Sequence, residues 1–172
     1  SNSSTMVAMN ELSNHDHSRF LTRTNRMVGR LGEKESSAAQ FGISKAIMRI
    51  AVAMQMTWPG APTVYYGDEA GVCGFTDPDN RRTYPWGKED QEMITFHKEM
   101  IRIHKQNQEL IHGSLIKLYA QPFVIGYGRF TEEEQTIVIV NSSDSIRDIS
   151  VNVWMAGVPA NTKMSRLMVT TN

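Results

Sequence analysis

The sequence is short of several features that would assign it to a class at once. It has one cysteine, Cys73, which excludes an internal disulfide and a cysteine-based zinc site. Its charges are balanced, with 18 basic and 18 acidic residues, so it lacks the basic face with which proteins bind nucleic acids or anionic membranes. Its longest stretch without charged side chains is 50–67, and Pro59 and Pro62 exclude a membrane-spanning helix there.

A leader sequence is not recognised either, since no basic segment followed by an apolar one opens the chain. This slightly favours a cytoplasmic location, while a longer parent protein could carry a signal peptide upstream. The 172 residues are too few for a complete eight-stranded β/α barrel, which takes about 200 residues at the least. What is present, 40% hydrophobic and 21% charged residues, is the composition of an ordinary globular protein.

The first two thirds of the chain alternate between strand-like and helix-like patterns. Short apolar runs predict two strands, Met6–Leu12 and Pro62–Tyr66, of which the first is also compatible with a helical turn. Apolar residues at steps of three and four predict two helices, Ser37–Met56 and Glu89–Asn107. Two polar, glycine-containing segments are predicted loops, Thr22–Ser37 and Gly71–Trp86. This βαβα order predicts parallel strands joined by crossover helices.

Beyond Gly113 the pattern changes to short strand candidates separated by polar turns. The candidates are Ser114–Tyr119, Phe123–Phe130, Thr136–Asn141, Ser145–Val153 and Lys163–Val169. Regularly spaced short strands of this kind predict an antiparallel β-sandwich. We therefore expect two domains, an α/β domain over residues 1–112 and an all-β domain over residues 113–172.

The segment Asn14-His15-Asp16 follows the first predicted strand, where parallel β/α folds place their functional side chains. A histidine can donate to sugar hydroxyls, and an aspartate can accept from them or stabilise a developing positive charge. The alternative is a structural turn, which Asn and Asp also favour, and spacing alone favours the turn. A metal site on His15, Asp16 and His17 is a weaker hypothesis, because no second cluster at ligand spacing accompanies them.

Asp68 and Glu69 follow the C-terminal end of the second predicted strand. Adjacent residues on a strand point to opposite faces, and a glycosidase needs two carboxylates that flank one bond. We therefore favour a structural role at the end of the strand for this pair.

The loop after the second strand combines acids, an amide and guanidinium groups: Asp77, Asp79, Asn80, Arg81 and Arg82. Such a set suits hydroxyl-rich ligands, since sugar hydroxyls both donate and accept hydrogen bonds. Tyr84 and Trp86, just beyond it, could stack on sugar rings. A surface turn with local ion pairs explains the same residues equally well.

Three segments resemble signatures of the α-amylase superfamily, glycoside hydrolase family 13. Residues 10–20, Asn-Glu-Leu-Ser-Asn-His-Asp-His-Ser-Arg-Phe, are similar to the segment around its NHD motif, here Asn14-His15-Asp16. Residues 59–69, Pro-Gly-Ala-Pro-Thr-Val-Tyr-Tyr-Gly-Asp-Glu, are similar to its motif on the eighth barrel strand. Residues 77–86, Asp-Pro-Asp-Asn-Arg-Arg-Thr-Tyr-Pro-Trp, look most like the neopullulanase, cyclomaltodextrinase and maltogenic amylase branch. The resemblance extends from Met6 to Asn107.

The resemblance implies that the chain is the C-terminal portion of such an enzyme. Its fold would be the last two β/α units of a (β/α)8 barrel, followed by a partial antiparallel β-sandwich. The activity implied is that of a retaining glycosidase on α-glucan oligosaccharides of the maltodextrin, cyclodextrin or pullulan type. We expect no cofactor, and no residue of this chain points to the calcium site that is possible in the family. The nucleophilic Asp and the acid/base Glu of the family would lie upstream of Ser1, so the chain alone is expected to be inactive.

The resemblance also implies roles for single residues. Asp16 would stabilise the transition state by holding two hydroxyls of the reacting sugar, and His15 would donate to the same sugar. Asn14, Asp77 and Arg81 would contact substrate, the last two at sugars further from the scissile bond. Two other functions stay open: a carbohydrate-binding or assembly module without turnover, and one half of an enzyme split between two chains.

We predict that this chain self-associates in solution. Two parallel strands taken from a barrel expose unpaired backbone edges and apolar faces that the other strands would cover. Dynamic light scattering at tens of micromolar should show species larger than a 19.4 kDa monomer. A monodisperse monomer would contradict the expectation.

Overall fold

The computed structural model describes residues 7–25 and 35–171 of the chain. The helices are α1 (Phe20–Arg23), α2 (Lys45–Thr57), α3 (Gln91–Gln106) and α4 (Gln108–His112). The strands are β1 (Met9–Glu11), β2 (Ala61–Thr63), β3 (Ser114–Gln121), β4 (Val124–Phe130) and β5 (Gln135–Asn141). Short 3-10 helices lie at Ser36–Gln40, Asp68–Ala70, Asp79–Arg81 and Val153–Ala156. Across these described ranges, no helix has the length and hydrophobicity to cross a membrane.

Strands β1 and β2 are parallel neighbours, with Met9 opposite Ala61. The predicted parallel pair is therefore confirmed, although each strand keeps only three residues and is shorter than predicted. Gln55 of the crossover helix α2 is buried and donates to both strands, at 2.9 Å to Asn10 O and at 2.9 Å to Thr63 O. One side chain thus fixes the helix and both strands relative to each other.

The prediction of a continuous helix over Ser37–Met56 is wrong at its start. A short 3-10 helix comes first, and Gly42 then takes a positive φ of 65°, which leaves the helical path. The α-helix α2 begins only after Ser44, whose hydroxyl accepts a hydrogen bond from the Ile47 amide at 3.2 Å. Apolar periodicity does not show this break, because Ala39 of the 3-10 segment is buried in the same core as α2.

The other predictions for the α/β part mostly hold. The helix predicted over Glu89–Asn107 is confirmed as α3, with Asp90 accepting from the Met93 amide at its N-terminus. The predicted loop Gly71–Trp86 is confirmed apart from its one short 3-10 helix. Of the predicted loop Thr22–Ser37, residues 26–34 lie outside the described part of the chain.

The hydrophobic core lies between helices α1 to α4 and the loop that follows β2. Its fully or nearly fully buried members are Leu21, Ala39, Met48, Val52, Met56, Cys73, Phe75, Met93, Met100, Ile103 and Leu110. Four of these are methionines on α2 and α3, and they serve core packing. The burial of Cys73 raises its thiol pKa, an inert state for a thiol.

Strand β4 docks the three-stranded antiparallel sheet, ordered β3-β4-β5, onto these helices. The buried guanidinium of Arg129 donates to Thr57 O (2.8 Å), Leu110 O (3.2 Å) and Gly113 O (2.9 Å), at the C-terminal ends of α2 and α4. A cation at the carbonyl ends of two helices is stabilised by both helix dipoles. The Tyr127 hydroxyl adds a 2.5 Å contact to Thr57 Oγ1. The sheet is therefore fastened to the α/β part by polar contacts inside an apolar junction.

The β-sandwich is not found in the described part of the chain, which holds one antiparallel sheet of three strands. The strands predicted at Ser145–Val153 and Lys163–Val169 are wrong, because neither segment pairs with another strand. Alternating sequence alone makes no strand without a partner, and Ile146 is 94% exposed. On the sheet face away from the helices, buried Ala156 packs against Gly128, where an added Cβ would come within 2.6 Å of the Ala156 Cβ.

Candidate functional site

Arg19, in the segment after β1, is fully buried and joins the loops that follow the two parallel strands. Its guanidinium donates to Tyr66 O at 2.5 Å, to Asn80 O at 2.9 Å and to Asp68 Oδ1 at 3.1 Å. It also lies over the Tyr65 ring, 4.1 Å from the ring centroid. A buried cation is costly unless it is paired and hydrogen-bonded, so the contacts of Nε and Nη1 hold the two loops together, although Nη2 has no partner among the described residues.

Asn80 holds the turn after β1 from the neighbouring loop. Its side chain is completely buried, and its Nδ2 donates to His17 O at 2.8 Å and to Asn14 O at 3.3 Å. The Asn14 side chain closes the same turn, since its Oδ1 accepts from the amides of Asp16 (2.9 Å) and His17 (3.2 Å). Its Nδ2 donates to Glu11 Oε1 at 2.8 Å. The turn is therefore held both by hydrogen bonds within it and by hydrogen bonds from Asn80 of the neighbouring loop.

His15 and Asp16 project from this fixed turn into solvent. Their side chains are 61% and 69% exposed, and His15 Nε2 lies 3.4 Å from Asp16 Oδ1. The backbone of both residues is held while their polar atoms stay accessible to a ligand. The hydrogen-bonded backbone fits the interpretation as a structural turn. The exposed side chains of His15 and Asp16 fit the interpretation as a functional segment.

Asp77 and Arg81 pair with each other across one turn of the following loop, and both side chains are about half exposed. The loop beneath them is anchored by Asp79, which accepts hydrogen bonds from the Phe75 amide (2.8 Å), from Ser36 Oγ (2.7 Å) and from Arg82. Asp77 and Arg81 are thus presented at the surface on an anchored loop.

The pKa values of Asp68 and Asp79 are shifted in opposite directions. Burial raises the pKa of Asp68, and the hydrogen bonds from Ser13 and Arg19 offset this only in part. Burial also opposes ionisation of Asp79, but the hydrogen bonds from Arg82, the Phe75 amide and Ser36 together outweigh it and lower the pKa. The carboxylate form is therefore favoured at Asp79 and disfavoured at Asp68, relative to an aspartate in water.

The structure brings the five predicted site residues to one edge of the parallel strands. His15 and Asp16 follow β1, Asp77 and Arg81 lie in the loop after β2, and the Asn80 side chain links the two segments. Asn14 spends both ends of its side chain on the turn itself, and its contact with substrate stays a prediction. Within residues 7–25 and 35–171 no group of three or more His, Cys, Asp or Glu is placed to hold a metal ion.

The sequence does not reveal the organising role of two residues. It presents Arg19 only as part of the segment around the NHD motif, and Asn80 only as one polar residue of a loop. The sequence signal for Arg19 is a lone basic residue directly before the apolar pair Phe20 and Leu21, and Leu21 is buried beside it. For Asn80 there is no such signal, because its two acceptors are backbone carbonyls more than 60 residues away.

Comparison with known proteins identifies relatives over most of the chain. The family model described as alpha amylase, catalytic domain, matches residues 1–113. The amylopullulanase of Thermoanaerobacter thermohydrosulfuricus is 37% identical over 155 residues, which cover 84% of this chain and 10% of that protein. The cyclomaltodextrinase of Thermoanaerobacter pseudethanolicus is 36% identical over 148 residues, 85% of this chain and 23% of that protein.

A solved structure agrees with these relatives. The native debranching enzyme of Nostoc punctiforme superposes with a TM-score of 0.72 at 29% identity, covering 92% of this chain and 29% of that chain. The chain therefore spans between about a tenth and a quarter of the length of these curated relatives.

We predict that the anchoring of Asp79 makes stability depend on pH. A carboxylate whose folded pKa is lowered stabilises the fold above its unfolded pKa, and this contribution is lost as the pH falls through the folded pKa. Asp79→Asn should cost about 1–3 kcal/mol at pH 7, since it weakens hydrogen bonds to a charged acceptor. In urea unfolding the difference from wild type should shrink as the pH is lowered below about 4.

The exposed Asp148→Asn provides a matched control, with little expected change at any pH. A cost of Asp79→Asn that stays constant down to the acid range would contradict this role of Asp79.

Proposed function

Because the chain belongs to the α-amylase family, we propose that it is the C-terminal part of the catalytic unit of an α-glucan-active glycosidase. Its solved relatives are β/α-barrel enzymes of glycoside hydrolase family 13. In this proposal β1 and β2 with their helices are the last two units of the barrel, and the three-stranded sheet begins the C-terminal β domain. The barrel units cover residues 1–112 and the β domain residues 113–172.

One observation carries the proposal. The turn with His15 and Asp16 and the loop with Asp77 and Arg81 lie at the same end of two parallel strands, fastened to each other by Asn80. In β/α barrels this end of the strands is where catalytic groups are placed. Both segments present unburied polar side chains on backbones that internal hydrogen bonds hold in place.

Asp16 acts in this proposal on the reacting sugar. Its carboxylate accepts hydrogen bonds from two neighbouring hydroxyls, and these strengthen as the ring gains positive charge towards the oxocarbenium-like transition state. His15, 3.4 Å away, donates to the same sugar and keeps the carboxylate oriented. The nucleophilic Asp and the acid/base Glu come from the preceding part of the parent enzyme, about 5–5.5 Å from each other as retention requires.

Asp77 and Arg81 bind sugars further from the scissile bond. An ion pair at the surface costs little to open, so a sugar hydroxyl can take the place of one partner while the other accepts or donates to it. Asn14 contributes through the turn that it closes and through its position next to His15.

The substrate class follows from the relatives. Amylopullulanase and cyclomaltodextrinase are named for the glucans that they cleave, and the α-amylase of Geobacillus thermoleovorans was solved in complex with acarbose. We infer that the parent of this chain acts on α-glucan oligosaccharides. The exposed apolar side chains on and before β1, Val7 and Met9, fit a surface that the remaining barrel strands cover, and they account for the expected self-association of the isolated chain.

A graft tests this function. Residues 1–172 of this chain replace the corresponding segment of the T. pseudethanolicus cyclomaltodextrinase, to which the chain is 36% identical. Hydrolysis of cyclodextrin by the chimera is then measured. The chimera should be active, and Asp16→Asn should lower kcat by about 100-fold or more while the fold, checked by circular dichroism, is unchanged.

Asp144→Asn in the same chimera, at an exposed position of the β domain, should leave kcat within about twofold. An active chimera in which Asp16→Asn behaves like this control would refute the proposed function.

A further inference from the structure

Trp86 is an exposed aromatic residue that the proposed site does not use. Its side chain is 81% exposed, although large apolar surfaces are usually buried. It lies beside Tyr84, with ring centroids 4.5 Å apart and an interplanar angle of 50°. The two rings therefore form a joint aromatic surface, here called the aromatic platform, in the segment directly after Asp77 and Arg81.

The platform is held by local backbone contacts. The Trp86 amide donates to Tyr84 O at 2.9 Å, and the Lys88 amide donates to Pro85 O at 2.8 Å. Gly87 has a φ of 75°, which turns the chain after the tryptophan, and a Cβ added at Gly87 would meet no atom within 4 Å. Upstream, the Tyr66 hydroxyl donates to Arg82 O at 2.7 Å and fastens the start of the segment to the loop after β2. Little ordering is therefore needed before a ligand binds.

The platform combines an apolar surface with polar edges. Tyr84 is partly buried and carries a ring hydroxyl, whereas the indole of Trp86 is largely exposed. The pKa of Tyr84 is raised, first by its partial burial and then by the charges of Glu69 and Glu89. An exposed aromatic face of this kind matches one ligand chemistry well, because a pyranose ring has an apolar C–H face and hydroxyls around its edge.

We propose that Tyr84 and Trp86 form an outer glucan-binding subsite, in which Trp86 stacks on a glucose unit beyond those held by Asp77 and Arg81. This inference rests on the proposed function, since it extends the same glucan along the same loop. The subsite binds glucan without taking part in bond cleavage, so it contributes affinity for longer oligosaccharides.

Calorimetric titration of the 172-residue chain with maltoheptaose tests the platform directly. Trp86→Ala should weaken binding about five- to tenfold, whereas Trp86→Phe, which keeps an aromatic face, should retain most of the affinity. Because Trp86 is exposed, both variants should fold like wild type, as checked by circular dichroism. Asp148→Asn, at an exposed position outside the site, is the matched control and should bind maltoheptaose like wild type.

The outcomes separate the platform from the proposed function. No measurable binding by wild type, or equal binding by wild type and Trp86→Ala, would overturn the platform, while the graft experiment decides on the function independently. Loss of binding in Asp16→Asn but not in Trp86→Ala would likewise refute the platform and favour the central site. If Trp86→Ala instead made the chain monomeric without changing maltoheptaose affinity, the tryptophan would be a protein contact and the proposal would be wrong.

Discussion

The buried guanidinium of Arg19 is the interaction on which the arrangement of the site depends. Removing a cation from water costs several kcal/mol, and the cost is recovered only when every neighbour stays in place. In the segment after β2, these neighbours are the backbone carbonyls of Tyr66 and Asn80. The carboxylate of Asp68 and the ring face of Tyr65 complete the set. Any displacement of one loop leaves the charge unpaired. The exposed polar groups at the ends of the strands are therefore held by the cation of a side chain that is itself fully buried.

Asn80 connects the buried guanidinium of Arg19 to the exposed turn. Its carbonyl accepts from Arg19, and its side-chain amide donates to the turn that carries His15 and Asp16. One residue thus joins the buried cation to the candidate catalytic turn. In the same way Arg129 joins the sheet to the ends of two helices. Both junctions of the molecule consist of a buried polar side chain that donates to backbone carbonyls distant in sequence.

The contacts of Arg19 and Asn80 also show how much of the structure could be predicted from the sequence. The parallel strands, the helix α3, the first three strands after Gly113 and the loop with Asp77 and Arg81 follow from local patterns. The break at Gly42 did not, because burial continues across it, and the strands after Ser145 were predicted from alternation although nothing pairs with them. Hydrogen bonds to distant carbonyls leave no periodic signature, so the roles of Arg19 and Asn80 emerge only from the fold.

The central claim is that this chain carries part of a glucan-cleaving site whose nucleophile and acid lie elsewhere in the parent enzyme. The most direct measurement is turnover of maltotriose, cyclodextrin and pullulan by the purified 172-residue chain. A mock purification from host cells that do not express the chain serves as the contamination control. The account predicts no product from any of the three. Product above the control that disappears with Asp16→Asn would contradict it, because the chain would then supply its own nucleophile and acid.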